Sequence, residues 1–199
     1  MNETIKNILE RRSVRRYMTI LPPEDDVMQI VECGMYAATA NGVQPWFFSV
    51  VKNRALLSEI SDENKKALIE KGAEVTDDYD CFRNAPMAII VSRDSGAPFG
   101  EVDCANAVMN MAVAASSLGI ASCYIASFRL AFEGERFTEF CDKLNVPDGF
   151  IPCFALSLGY TGTPIPPRKE RVPGRVVVVD LGTLLLTILA SRMLHACLA

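Results

Sequence analysis

NAPMAIIVSRDSGAPFGEVDCANAVMNMAVAASSLGIASCYI, residues 84–125, decides the fold class. Asn84-Ala85-Pro86 punctuates the chain. Met87 to Val91 is then an uninterrupted apolar run, as in a strand buried on both faces. Ser92 to Gly100 holds glycine and proline and reads as a loop. From about Asp103 to Leu118 the pattern is helical. Its alanines, Ala105, Ala107, Ala112, Ala114 and Ala115, allow close packing, and Gly119 suits a helix C-cap. Ala121 to Ile125 is short and fits a second strand. A strand, a long small-residue helix and another strand in that order require a sheet with helices against it.

The rest of the chain extends this pattern. Residues 2–12 suggest a helix, with Ile5, Ile8 and Leu9 on one face. Pro22-Pro23 followed by Glu24, Asp25 and Asp26 marks a helix start, and Val27, Ile30, Val31 and Gly34 carry it to about Ala38. Phe47 to Val51 and Phe154 to Leu158 are strand candidates. Residues 54–72 and 132–144 read as helices, and Val146-Pro147-Asp148-Gly149 ends the second. Val176 to Val179 fits a strand, and Leu181 to Leu198 is strongly apolar. There is no internal repeat.

The 199 residues suit one domain with an appendage, and half of them are apolar, which excludes a disordered chain. The net charge of −4 argues against general binding to a nucleic-acid backbone. The one histidine, His195, lies close to the end of the chain, so His-assisted nucleophilic catalysis and multi-histidine zinc sites are disfavoured. An enzyme with this composition would leave the hard chemistry to a cofactor. The seven cysteines are widely spaced without a CxxC pair, which fits buried thiols in a reducing cytoplasm. The start, MNETIKNILERR, lacks the apolar region of a signal peptide.

Three clusters can carry chemistry. The first, RRSVRRY at residues 11–17, offers Arg11, Arg12, Ser13 and Arg15 to a phosphate, although a solvated helix end is the plain alternative. The second is Ala37 to Trp46. Ala38, Thr39, Ala40 and Gly42 are small enough for a flat ligand to reach the backbone. Asn41-Gly42 favours unusual dihedral angles, and Pro45 should hold Gln44 extended. Trp46 is better read as an anchor for the strand that follows. The third is Pro166 to Arg171, a basic loop carrying Arg168 and Arg171.

In this order, the clusters resemble the nitroreductase family of FMN-dependent oxidoreductases. The RRSxR element, Gln44-Pro45-Trp46, the set Asp103, Ala114, Ala115, Leu118 and Gly119, and Leu158-Gly159-Tyr160 carry the resemblance, which runs from about residue 5 to 172. It implies an α+β fold: a three-layer sandwich with a central, mostly antiparallel sheet flanked by helices. The family forms intertwined homodimers with FMN at the subunit interface. The resemblance assigns Arg11, Arg12 and Ser13 to the FMN phosphate or ribityl chain, with Arg168 and Arg171 closing on the phosphate. It places Arg15 at the pyrimidine edge, where a cation stabilises reduced flavin. Ala38, Thr39, Ala40, Gly42 and Gln44 would line the flavin, with Ala126, Ser127 and Phe128 toward its other face. Asn64 and Lys66 match an Asn and Lys that the family uses, although an exposed charged helix is the plain reading there. The implied reaction is ping-pong. NADH or NADPH delivers hydride to flavin N5, and a nitroaromatic, quinone or similar small acceptor then takes it, with no catalytic side chain and no metal.

The chain departs from the family at its end. Residues 1–175 would form the FMN-binding domain, and 176–199 an apolar extension packed on the dimer partner. Asp180, Arg192 and His195 interrupt that extension and argue against a membrane span. The other readings are a flavin-binding protein without turnover, a relative with dehalogenating or flavin-fragmenting chemistry, and a plain interaction module.

Overall fold

A computed structural model describes residues 1–165 and 167–179. The chain divides into two units, 1–166 and 167–199. Among the described residues, the first holds the regular structure: α1 (Glu3–Glu10), α2 (Glu24–Met35), β1 (Trp46–Val51), α3 (Arg54–Glu70), β2 (Met87–Asp94), α4 (Gly100–Ser117), β3 (Ala121–Ile125), α5 (Phe137–Lys143) and β4 (Phe150–Gly159). Short 3-10 turns cover Ala40–Gly42 and Ser127–Phe132.

The four strands form one antiparallel sheet in the order β1-β2-β4-β3. The two central strands are the apolar runs noted in the sequence. Met87 to Ser92 is buried throughout, as a strand covered on both faces must be. Alternation sends successive residues to opposite faces. Ala88 and Ile90 join Cys123, Ile125 and Ala155 under α3, α5 and the 127–132 turn, where Phe82, Phe128 and Phe140 fill the core. Met87, Ile89 and Val91 join Leu156 and Leu158 under α2 and α4. The result is the expected α+β three-layer sandwich.

The alanines of α4 do what their size allows. Gly34 of α2 lies so close to this helix that a Cβ there would sit 2.8 Å from Met111 Cγ. Gly119 follows α4 with φ +71°, the left-handed value that makes glycine a helix terminator. The helix α3 begins at Asn53, whose side chain accepts from Ala55 and Leu56 N–H at 3.0 and 3.2 Å.

Several sequence expectations are corrected. The α2 helix ends at Met35, three residues early. The helix expected over 132–144 is shorter: α5 begins only at Phe137, Phe132 ends the preceding 3-10 turn, and residues 133–136 between them are bend and turn. Gln44 is not extended. Its φ is +52°, because the tight turn over 40–43 must swing the chain into β1 and overrides the local bias imposed by Pro45. Val176 to Val179 is exposed and unpaired with any strand among the described residues. The extension beyond Val179 lies outside the described residues. Trp46 is half-buried against the α2/α4 core and 6.0 Å from Phe48, as an anchor of β1.

The described thiols are free, and five of the six are buried. Cys104 and Cys153 face each other in the core. The Cys153 side chain, then burial, pushes the Cys104 thiol up, and Cys104 Sγ lies 3.8 Å from Ser92 O and 3.9 Å from Pro45 O. Such a thiol is inert at neutral pH. No helix among the described residues is long and apolar enough to cross a membrane.

Candidate functional site

The basic segment 11–17 runs beside β3 and is fixed there by backbone. Ser13 forms an isolated parallel bridge with Ser122, and Val14 N–H donates to Ser122 O at 2.9 Å. Farther along, Met18 N–H donates to Tyr160 O at 2.7 Å, and the Tyr17 hydroxyl donates to Val14 O at 2.8 Å. The segment therefore prolongs the sheet edge, and its arginines are carried on a rigid frame. Burial pushes the Tyr17 hydroxyl well above its ordinary range, so it remains a neutral donor.

Arg11, Arg12 and Arg15 have different surroundings. Arg12 donates through Nη1 to Leu9 O, Glu10 O and Arg11 O at 3.0, 2.8 and 2.8 Å. It thereby closes the C-terminal end of α1, where carbonyls lack partners and cations are favoured. Arg11 and Arg12 each keep a buried Nε that no protein atom satisfies. Both line a cleft of about 460 Å3 together with Val14, Ser122, Gly119 and Tyr160. Among the described residues, the Arg15 side chain donates to its neighbour Ser13 O, at 3.4 Å. Buried donors without acceptors are rare in folded proteins and mark a place for an anion. FMN phosphate fits this donor set.

Asn64 is fully buried on α3 despite its charged neighbours. Its Nδ2 donates to the Tyr79 hydroxyl at 2.7 Å, while its Oδ1 has no partner. The plain reading of that position, an exposed helix face, is corrected for Asn64; Lys66 is ion-paired at the surface with Glu63.

The second cluster is elsewhere. Ala40 N–H donates to both oxygens of Asp103 at 3.2 and 3.3 Å, and Asn106 Nδ2 donates to Ala38 O at 3.4 Å. Asp103 is buried in the first turn of α4, where the helix dipole favours a carboxylate. The loop 38–42 is thus tied to α4, on one face of the sheet. Asn64 belongs to α3, on the opposite face. Asn41 and Gly42 take φ of +55° and +69°, as the Asn-Gly pair suggested, and the space beside Gly42 is open. Thr39, Ala40 and Gln44 are partly or fully exposed, and so are Ala126 and Ser127 at the end of β3. Within one chain the structure gathers Arg11, Arg12, Ser13 and Arg15 at the β3 edge, where Arg11 and Arg12 share their cleft with Ser116 and Gly119 at the C-terminal end of α4, whereas the 38–42 loop is tied to Asp103 and Asn106 near the start of that helix. Arg168 and Arg171 are exposed and belong to the second unit.

Asp103→Ala is expected to strand the Ala40 N–H and to cost about 1–3 kcal/mol. Thermal unfolding measures the loss, and limited proteolysis should report faster cutting within 39–44.

Residues 8–160 match the Nitroreductase family. The chain belongs to the nitroreductase family. The crystal structure of a nitroreductase with bound FMN from Bacteroides fragilis is similar with a TM-score of 0.82 at 32% identity, covering 90% of this chain and 100% of that one. A nitroreductase with bound FMN from Desulfitobacterium hafniense gives 0.81 at 32% identity, again over 90% and 100% of the two chains. An FMN reductase (NADPH) of Bacillus subtilis is 27% identical over 191 residues, covering 89% of this chain and 73% of its own. The family match spans Arg11 to Tyr160 and stops before Arg168 and Arg171.

One residue beside the nitroreductase motifs escaped the sequence reading. Arg83 stands in the turn before β2, and its charge bears on the same Tyr17 and Cys123 side chains as that of Arg15. A lone arginine between Phe82 and Asn84 has no pattern, and only the folded chain places it beside the first cluster.

Proposed function

We propose that this chain is an FMN-dependent NAD(P)H oxidoreductase acting as a homodimer on small acceptors such as nitroaromatics or quinones. The observation that carries the reading is the pair of buried, unsatisfied Nε donors on Arg11 and Arg12 beside Ser13. That donor set matches one phosphate group and not a polyanion, in a family where similar structures hold FMN.

Arg11, Arg12 and Ser13 would hold the phosphate. Arg15 would face the pyrimidine edge, Asn64 would offer its unsatisfied Oδ1 to a ring N–H, and Ala126 and Ser127 would border the ring. When bound, FMN supplies a two-electron carrier between the nicotinamide and the acceptor, which makes the reaction ping-pong. The protein supplies orientation and a fixed field of charge. The position of the 38–44 loop supports the homodimer. It is on the far side of the sheet from Asn64, so Ala38, Thr39, Ala40, Gly42 and Gln44 would serve the site of a second copy.

The test is an anaerobic visible spectrum of the purified protein mixed with FMN, before and after NADH or NADPH. Retained flavin that either nicotinamide bleaches is the expected result. Retained flavin that neither bleaches would leave a flavin carrier, and absence of FMN binding would overturn the reading.

A further inference from the structure

Arg83 occupies backbone space that its residue type disfavours. Its φ is +62°, and Asn84 follows at +54°. Asparagine tolerates that region, but arginine there strains the backbone, and glycine would relieve it. The side chain does not offset this cost inside the protein. Its Nε is buried without a partner, and no side-chain hydrogen bond or ion pair of Arg83 occurs among the described residues. The nearby carboxylate is already engaged. Asp80 accepts from Arg54 and, through Oδ1, from Phe82 N–H at 2.7 Å. Arg54 is held in turn by Asn84 Oδ1 at 2.9 Å.

The turn carrying Arg83 is pinned to the first cluster. Ser157 Oγ donates to Phe82 O at 2.9 Å, which fixes the turn against β4. Pro86 and the Tyr17 ring both press on Gly159, so residues 83–86 and 14–17 share one packing contact. Burial raises the Cys123 thiol of β3, while the charges of Arg15, Arg83 and Arg11 all draw it down. Arg83 likewise bears on Tyr79, the partner of Asn64. Uncompensated cations held together on rigid backbone need an anion or an electron-rich edge to make them favourable.

We propose that Arg83 is a cofactor-binding residue which, beside Arg15, faces the pyrimidine edge of FMN and favours its reduced, anionic form. This rests on the FMN reading above. The electrons still come from NADH or NADPH, and Arg83 changes only how strongly each oxidation state is held.

The test compares wild type with Arg83→Gly, Arg83→Lys and Arg15→Ala. FMN affinity is read by fluorescence quenching, and the midpoint potential of the bound flavin by dye-coupled titration. Arg83→Gly suits the backbone at φ +62°, so its urea midpoint should be no lower than that of wild type. It should nevertheless bind oxidised FMN about tenfold more weakly, through loss of a charge-assisted bond. Its potential should fall by ~30 mV for each tenfold by which the reduced form loses more than the oxidised one. Arg83→Lys should lie between the two. An Arg83→Gly protein that keeps both the affinity and the potential of wild type, while Arg15→Ala loses them, overturns the role of Arg83 alone. Wild-type protein that binds no FMN overturns the underlying reading instead.

Discussion

Gly159→Ala is expected to lower stability by about 2 kcal/mol and to weaken FMN binding several-fold with it. The glycine closes β4 opposite Ala121 of β3, and its backbone angles are open to any residue. The constraint is space. A Cβ there would sit 2.8 Å from Pro86 Cδ, 2.9 Å from Pro86 Cγ and 3.0 Å from Tyr17 Cδ1. A proline ring and an aromatic ring cannot fold aside as the end of a lysine would. Something larger must move, and each choice reaches the site. Displacing Pro86 shifts the turn that carries Arg83. Displacing Tyr17 breaks its hydrogen bond to Val14 O and shifts the segment that carries Arg15. Gly162→Ala is the control, because its Cβ would meet nothing closer than Met18 Sδ at 3.6 Å. Urea unfolding should show a lower midpoint for Gly159→Ala at an unchanged slope, and no shift for Gly162→Ala. Equal midpoints for the two variants would mean that the contact between the turn and the arginine segment is loose.

The position of Gly159 also shows what the sequence could and could not reveal. Leu158-Gly159-Tyr160 was legible as a strand end, and the apolar runs at Met87 and Phe154 were legible as strands, because period and composition act locally. The long α4 was legible for the same reason. The geometry of Gln44 was not, because a turn spanning four residues overrode the preference imposed by one proline. Asn64 looked exposed amid Asp62, Glu63, Lys65 and Lys66, yet helical spacing turns it inward with Ile60 and Leu57. Arg83 was invisible for a different reason. The groups its charge bears on, Tyr17 and Cys123, are remote in sequence, and nothing local marks its left-handed angle. The sequence also placed the 38–44 loop and the arginine cluster in one site without distinguishing copies. Only the folded chain shows them at opposite ends of α4, the arginines beside Ser116 and Gly119 and the loop at Asp103 and Asn106.

Arg11→Ala is expected to weaken FMN binding about ten- to a hundredfold. A charge-assisted hydrogen bond contributes roughly 1.5–3 kcal/mol, and about 1.4 kcal/mol is a factor of ten. Arg11 sits just past α1, where its own N–H donates to Asn7 O at 2.9 Å. That bond belongs to the backbone and survives the substitution. The guanidinium makes no such structural contribution, since its Nε is buried and unsatisfied. Thermal stability without FMN should therefore change little. Arg12→Ala is the contrast. Its Nη1 satisfies three carbonyls at the end of α1, so its removal should cost about 1 kcal/mol of stability before any cofactor is added. Arg11→Lys should recover only part of the affinity, because an ammonium supplies the charge without the planar fork that grips a phosphate. Titration of each variant with FMN, paired with a melt of the FMN-free protein, separates the two roles. Full FMN affinity in Arg11→Ala would remove Arg11 from the phosphate site, and with it the observation on which the cofactor assignment stands.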